Sequence, residues 1–76
     1  MKASLKIKAR KKLGREIASH RKTQKITQAQ LAFESGLSRQ YISYLEAGLK
    51  SPTLDTLVSI AEVMGIHVKE LLDFEY

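Results

Sequence analysis

Arg39 and Gln40 stand side by side just after Ser38, and Ser43 and Tyr44 follow one helical turn later. An arginine there can donate two hydrogen bonds to guanine O6 and N7. A glutamine can make the paired contact to adenine N6 and N7, each good pair discriminating by about 1–3 kcal/mol. Tyr44 suits a thymine methyl or a phosphate oxygen. Ser38, Arg39, Gln40, Ser43 and Tyr44 are therefore the candidate base readers. A second group suits phosphate. Gln28 opens a helix, where side-chain and main-chain amides both face outward. Gln30 is a weaker candidate, and Lys50 and Ser51 follow in a loop. Tyr41 either lies against the sugar-phosphate backbone or forms part of the hydrophobic shelf beneath the readers.

Such readers need a rigid mount. The stretch TQAQLAFESGLSRQYISYLEAG, residues 27–48, reads as a helix, a glycine turn and a second helix. Thr27 is an N-cap for a helix over residues 28–35, and Ser38 caps one over about 39–47. Leu31, Ala32 and Ser35 share one face of the first helix. Gly36 follows where the chain needs positive φ, and Leu37 is expected as a buried link. Ile42 and Leu45, joined in part by Tyr41, form the inner face of the second helix. Two short helices crossed in this way present the second end-on to a major groove.

Charge is unevenly distributed. The chain has 76 residues and a net charge of +5, yet residues 1–25 carry +9 and residues 26–76 carry −4. A basic arm on a mildly acidic body suits a polyanion, with a solvated tail as the plain alternative. The length fits one domain, residues 1–76, which buries only about 60% of the surface its unfolded chain exposes. There is no cysteine, so disulfides and thiolate metal sites are excluded. No run of about 18 apolar residues is present to span a membrane. Leu5 and Ile7 are isolated among lysines, unlike a signal peptide, so the expected location is cytoplasmic and nucleoid-associated.

The remaining elements are helical too. Residues 1–7 are expected as a flexible or weakly helical basic arm, followed by a first helix over about 8–22 with Leu13, Ile17 and His20 or Arg21 on one face. Gly14 inside that helix costs about 1 kcal/mol against alanine, which a close helix contact would explain. Pro52 keeps Ser51 extended, and Thr53 caps a fourth helix that Gly65 ends. A short fifth helix over about 68–73 follows His67, an unusual residue for a cap.

Catalysis has little support. His20 and His67 lie 47 positions apart with no metal-ligand spacing, Ser38 and Ser43 lack a His–Asp companion, and the four glycines are scattered. No enzyme activity, metal or cofactor is implied.

The whole pattern resembles the phage repressor and Cro class of helix-turn-helix regulators, often called XRE-like. Ala32, Gly36, Ile42 and Leu45 carry the resemblance, with the later words YLEAG, SPTLDTL and IAEVMGI, over roughly residues 13–72. The words LGREIASHRK and PTLDTL are also similar to controller proteins of restriction–modification systems. The resemblance implies an all-α, five-helix lambda-repressor-like domain that binds double-stranded DNA. It implies a partly buried ion pair between Arg21 and Glu46, with Arg21 bracing the recognition helix and also within reach of a phosphate. An exposed arginine in the basic cluster is the alternative. It further implies a homodimer on a pseudo-palindromic operator, with neither an inducer pocket nor a dimerisation domain expected. Leu49, Val58, Val63, Ile66, Val68, Leu72, Phe74 and Tyr76 exceed the needs of the core, and of these Val63, Ile66, Val68, Leu72, Phe74 and Tyr76, at the end of the fourth helix, the fifth helix and the tail, are the candidate subunit contact. Phe74 and Tyr76 folding back on their own core is the alternative. Two other functions fit less well: an antitoxin, and a protein-interaction module with a vestigial helix-turn-helix.

Overall fold

The computed structural model describes residues 2–75, with side chains from Leu5 onward. Four α-helices follow one another: α1 (Lys2–Thr23), α2 (Gln28–Ser35), α3 (Arg39–Glu46) and α4 (Leu54–Met64). The expected fifth helix is instead a single 3₁₀ turn, Val68–Leu71. No side chain from a Ser or Asp starts it; the His67 amide donates to Glu70 Oε2 at 2.9 Å. Four residues with one reciprocal bond cannot meet the nucleation cost of a longer α-helix.

The separate basic arm is also corrected. Helix α1 begins at Lys2 and runs through residues 2–7 without a break. No proline or glycine precedes Gly14, and Lys, Ala and Leu propagate a helix once it has formed.

The α2 and α3 caps match the local chemistry. Thr27 Oγ1 accepts from the Gln30 amide at 3.0 Å, and the Gln30 side chain accepts from the Thr27 amide at 2.8 Å. Gly36 ends α2 in the left-handed region at φ 73°. Ser38 Oγ then accepts from the Tyr41 amide at 3.0 Å to open α3. Leu37 is half-buried and packs on the edge of the core, a lesser burial than its linking position suggested.

Leu13 and Ile17 of α1, Leu31 and Ala32 of α2, and Ile42 and Leu45 of α3 converge on Leu57, Ile60, Ala61 and Met64 of α4, with Leu71 closing the end. Each fully buried Leu or Ile contributes about 1.5–3 kcal/mol. Gly14 makes the approach of α1 to α3 possible. A Cβ there would lie 2.4 Å from the Leu45 carbonyl oxygen and 2.5 Å from that of Glu46. The cost of a glycine inside a helix is thus the condition for seating the end of α3 against α1. Gln24 Nε2 donates to the Met64 carbonyl at 2.6 Å and ties the turn after α1 to the end of α4.

Candidate nucleic-acid interface

Helix α3 has two unlike faces. Ile42 and Leu45 are 0% and 1% exposed, whereas Arg39 and Gln40 are exposed at its start. Arg39 has neither a hydrogen bond nor an ion pair among the described residues, and Glu34 does not engage it. Its guanidinium is free to form a fork with a planar acceptor. Gln40 Nε2 donates to Tyr44 Oη at 2.7 Å. These two side chains, one turn apart, therefore hold each other in the free protein, leaving the Gln40 carbonyl and the Tyr44 hydroxyl hydrogen for an outside partner. Lys50 Nζ lies 5.8 Å from the centre of the Tyr44 ring, within cation–π range. Ser43 is half-buried beside them.

The far end of α3 is locked. Arg21 Nε and Nη2 donate to Glu46 Oε2 and Oε1 at 2.7 and 2.9 Å, a two-pronged pair. Arg21 Nη1 donates to the Ile26 carbonyl at 2.8 Å, so each of its nitrogens is used within the protein. With the whole residue only 9% exposed, this geometry holds Arg21 against the end of α3, and one N–H on each of Nη1 and Nη2 is left over. The hydrogen bond to Glu46 raises the Arg21 pKa above its usual value. Burial opposes the rise, and the Coulomb attraction of Glu46 adds to it.

Gln28 joins this lock. Its Nε2 donates to Glu46 Oε1 at 3.0 Å, linking the first residue of α2 to the last of α3. The side chain is half-buried. The third member of the network was not apparent in the sequence, because residues 28 and 46 are far apart in the chain and no spacing rule joins them. Gln30 has its carbonyl oxygen engaged in the cap, and only its amide nitrogen remains for an outside group. Tyr41 is half-buried against the core, as the shelf alternative described. Lys50 and Ser51 are exposed in the α3–α4 loop.

The residues expected at a subunit contact separate into two sets. Val63, Ile66, Val68 and Phe74 are only half-exposed because they pack on their own core, so Phe74 follows the fold-back alternative. Leu72 is 46% exposed. Tyr76 lies outside the described residues. Leu49 (67%) and Val58 (39%), also in excess of the core, are exposed, and so are Phe33 (87%) and Leu54 (65%), which were not expected at a contact.

Two crossed helices, a buried brace and an open row of planar donors define a class: the helix-turn-helix DNA-binding regulators. A helix-turn-helix family model matches residues 17–71, and the chain belongs to that family, in its XRE-like branch. It is 38% identical over 63 residues to an uncharacterized HTH-type transcriptional regulator, y4dJ, of Sinorhizobium fredii, spanning 83% of this chain and 82% of that protein. It is 43% identical over 49 residues to the control protein C.BamHI of Bacillus amyloliquefaciens, spanning 64% of this chain and 60% of that one. Among solved structures, the restriction-modification controller protein C.AhdI from Aeromonas hydrophila superposes with a TM-score of 0.79 at 31% identity, over 80% of this chain and 92% of that one. These relatives are regulators rather than enzymes. Among the described residues, no helix is long and apolar enough to cross a membrane.

Proposed function

We propose that this regulator binds a pseudo-palindromic operator as a homodimer, with α3 of each protomer in a major groove. The observation that carries the reading is the division of α3: Ile42 and Leu45 are sealed into the core while Arg39 stands exposed and unpaired at the leading end. A reader whose back is clamped and whose front is free can discriminate bases without ordering itself first. Arg39 and Gln40 are the principal base readers, with Tyr44 beside them and Ser38 and Ser43 at the margin. Lys50, Ser51 and the main-chain amides at the start of α2, from Gln28 on, hold phosphates. Gln30 and Tyr41 contribute at most an amide and a hydroxyl. The subunit contact is formed by the 3₁₀ turn and its tail, with Leu72 at its centre and the outer edges of Val63, Ile66, Val68 and Phe74 around it.

Selection from random duplexes tests this reading. A site with two-fold symmetry is expected, and Arg39→Ala should relax preference at one base pair per half-site, by about 1–3 kcal/mol. Unchanged preference in that variant would remove α3 as the reader. Sedimentation of Leu72→Glu should show a monomer where the wild type is a dimer; equal masses for the two proteins would move the contact elsewhere.

A further inference from the structure

We propose that the cleft between the first half of α1 and the α3–α4 loop seats a backbone phosphate of the duplex that α3 reads, outside the bases it contacts. The inference rests on the DNA-binding reading above and extends its footprint. The cleft has a volume of about 300 Å³ and is lined by Lys6, Ala9, Arg10 and Ser51. Arg10 Nε is shielded from solvent and has no hydrogen-bond partner among the described residues. A buried donor without an acceptor is unfavourable, which favours turning the side chain into the cleft, where a guanidinium is best satisfied by two parallel bonds to an oxyanion. Arg10 forms no ion pair among the described residues. Residues 1–15 contain no acidic side chain, and Glu16, about 9 Å further along the helix axis, lies 3.8 Å from His20. Lys6 adds a second positive charge and Ser51 a hydroxyl, which together suit a phosphodiester.

The position of the cleft connects it to α3. Gly48, just beyond α3, abuts α1 so closely that a Cβ there would lie 2.7 Å from Lys11 Cγ and 2.9 Å from its Cα. This contact fixes the loop against α1 and brings Ser51 over Arg10. Within the same loop Lys50 lies over the Tyr44 ring, and Tyr44 accepts from Gln40. A polar track therefore runs from the base-reading residues to the cleft, and one duplex can lie along it.

The test uses the full chain and two duplexes with the selected site, one with long flanks and one trimmed to the site. At low salt, Arg10→Ala should lose about tenfold in affinity on the long duplex, the scale of one charge-assisted contact, and almost nothing on the trimmed one. Its salt slope should fall by about one, with base preference unchanged. Arg10→Lys should restore the slope but only part of the affinity, because the fork is lost. Lys6→Gln and Ser51→Ala, at exposed positions, should reproduce the flank dependence in smaller measure even if Arg10→Ala folds poorly. Equal losses on both duplexes, or none, overturn the assignment. Inorganic phosphate, titrated without DNA and followed by amide shifts at Arg10 and Ser51, covers the other source. Saturation there with an unaltered flank preference in Arg10→Ala would assign the cleft to a free anion and overturn the duplex proposal. Arg39→Ala should keep the preference for long flanks while relaxing base choice at one base pair per half-site. If the wild type itself binds no duplex selectively, the DNA-binding reading has failed, and this inference with it.

Discussion

Helix α3 and the first half of α1 are both polar, both lie beside the α3–α4 loop, and both are suited to nucleic acid, yet they are mounted in opposite ways. Helix α3 is held by Ile42 and Leu45 in the core, by its Ser38 cap and by the Arg21–Glu46–Gln28 network. The first half of α1 carries Leu5 and Ile7 at 45% and 44% exposure and, among the described side chains, has no buried apolar residue before Leu13. One element spends its apolar residues on a fixed orientation, and the other is mostly charge on a helical rod. Base reading needs the first arrangement, because donors must meet base edges within a few tenths of an ångström. Phosphate attraction tolerates the second, because the field of a polyanion is broad.

Substitutions at the mount of α3 should have the largest effect. Glu46→Ala strands the Arg21 cation in a site 10% exposed at its side chain, so stability should fall by about 3–5 kcal/mol in chemical denaturation. A loss below 1 kcal/mol would make α3 less dependent on the lock than its geometry implies. The arginine side of this pair adds no pH dependence near neutrality. Its folded-state pKa is raised, so its contribution is fully present below the usual arginine range and is lost only as pH rises through the higher value. The wild-type melting midpoint should accordingly show no step from Arg21 across neutral pH.

Gly14→Ala comes next, and its sign is diagnostic. In an exposed helix this change gains about 1 kcal/mol. Here the new methyl would meet two backbone carbonyl oxygens that cannot rotate away, so a loss of about 1–3 kcal/mol is expected from thermal melts. Tyr44→Phe releases Gln40 from its internal partner. Operator affinity should fall by about 0.5–1.5 kcal/mol, the net worth of one hydrogen bond, with a broader choice at the base Gln40 faces. The smallest effects belong to the rod. Leu5→Ala and Ile7→Ala should each change stability by less than about 0.5 kcal/mol. Lys8→Gln should reduce the salt slope of DNA binding by no more than about one, without altering base choice. A sizeable stability loss from Leu5→Ala would show that the first turns of α1 are packed more firmly than their exposure indicates.

Local chemistry was enough to establish α2, α3 and α4, because each is bounded by side chains that satisfy its own orphan amides: Thr27, Ser38 and Thr53 at the starts, and Gly36 and Gly65 at the ends of α2 and α4. The core positions Leu13, Ile17, Leu31, Ile42, Leu45 and Leu57 were legible for the same reason, as helical periodicity is written in the chain. The two ends were not. Residues 2–7 carry no cap, so whether α1 continues through them depends on propagation from a helix already anchored at Leu13 and Ile17. The segment after His67 lacks a strong start signal, and packing of Leu71 on the core is satisfied by a single turn. The sequence by itself determined the build of α3: a capped helix with Arg39 and Gln40 exposed at its leading end and an apolar back, features encoded within a few neighbouring residues. Only the tertiary structure decided that Gln28 completes the lock on Glu46, that Gly14 is a contact rather than a weakness, and that Arg10 differs from the lysines around it. Each of these depends on residues distant in the chain meeting at a few ångströms, and no local pattern carries that information.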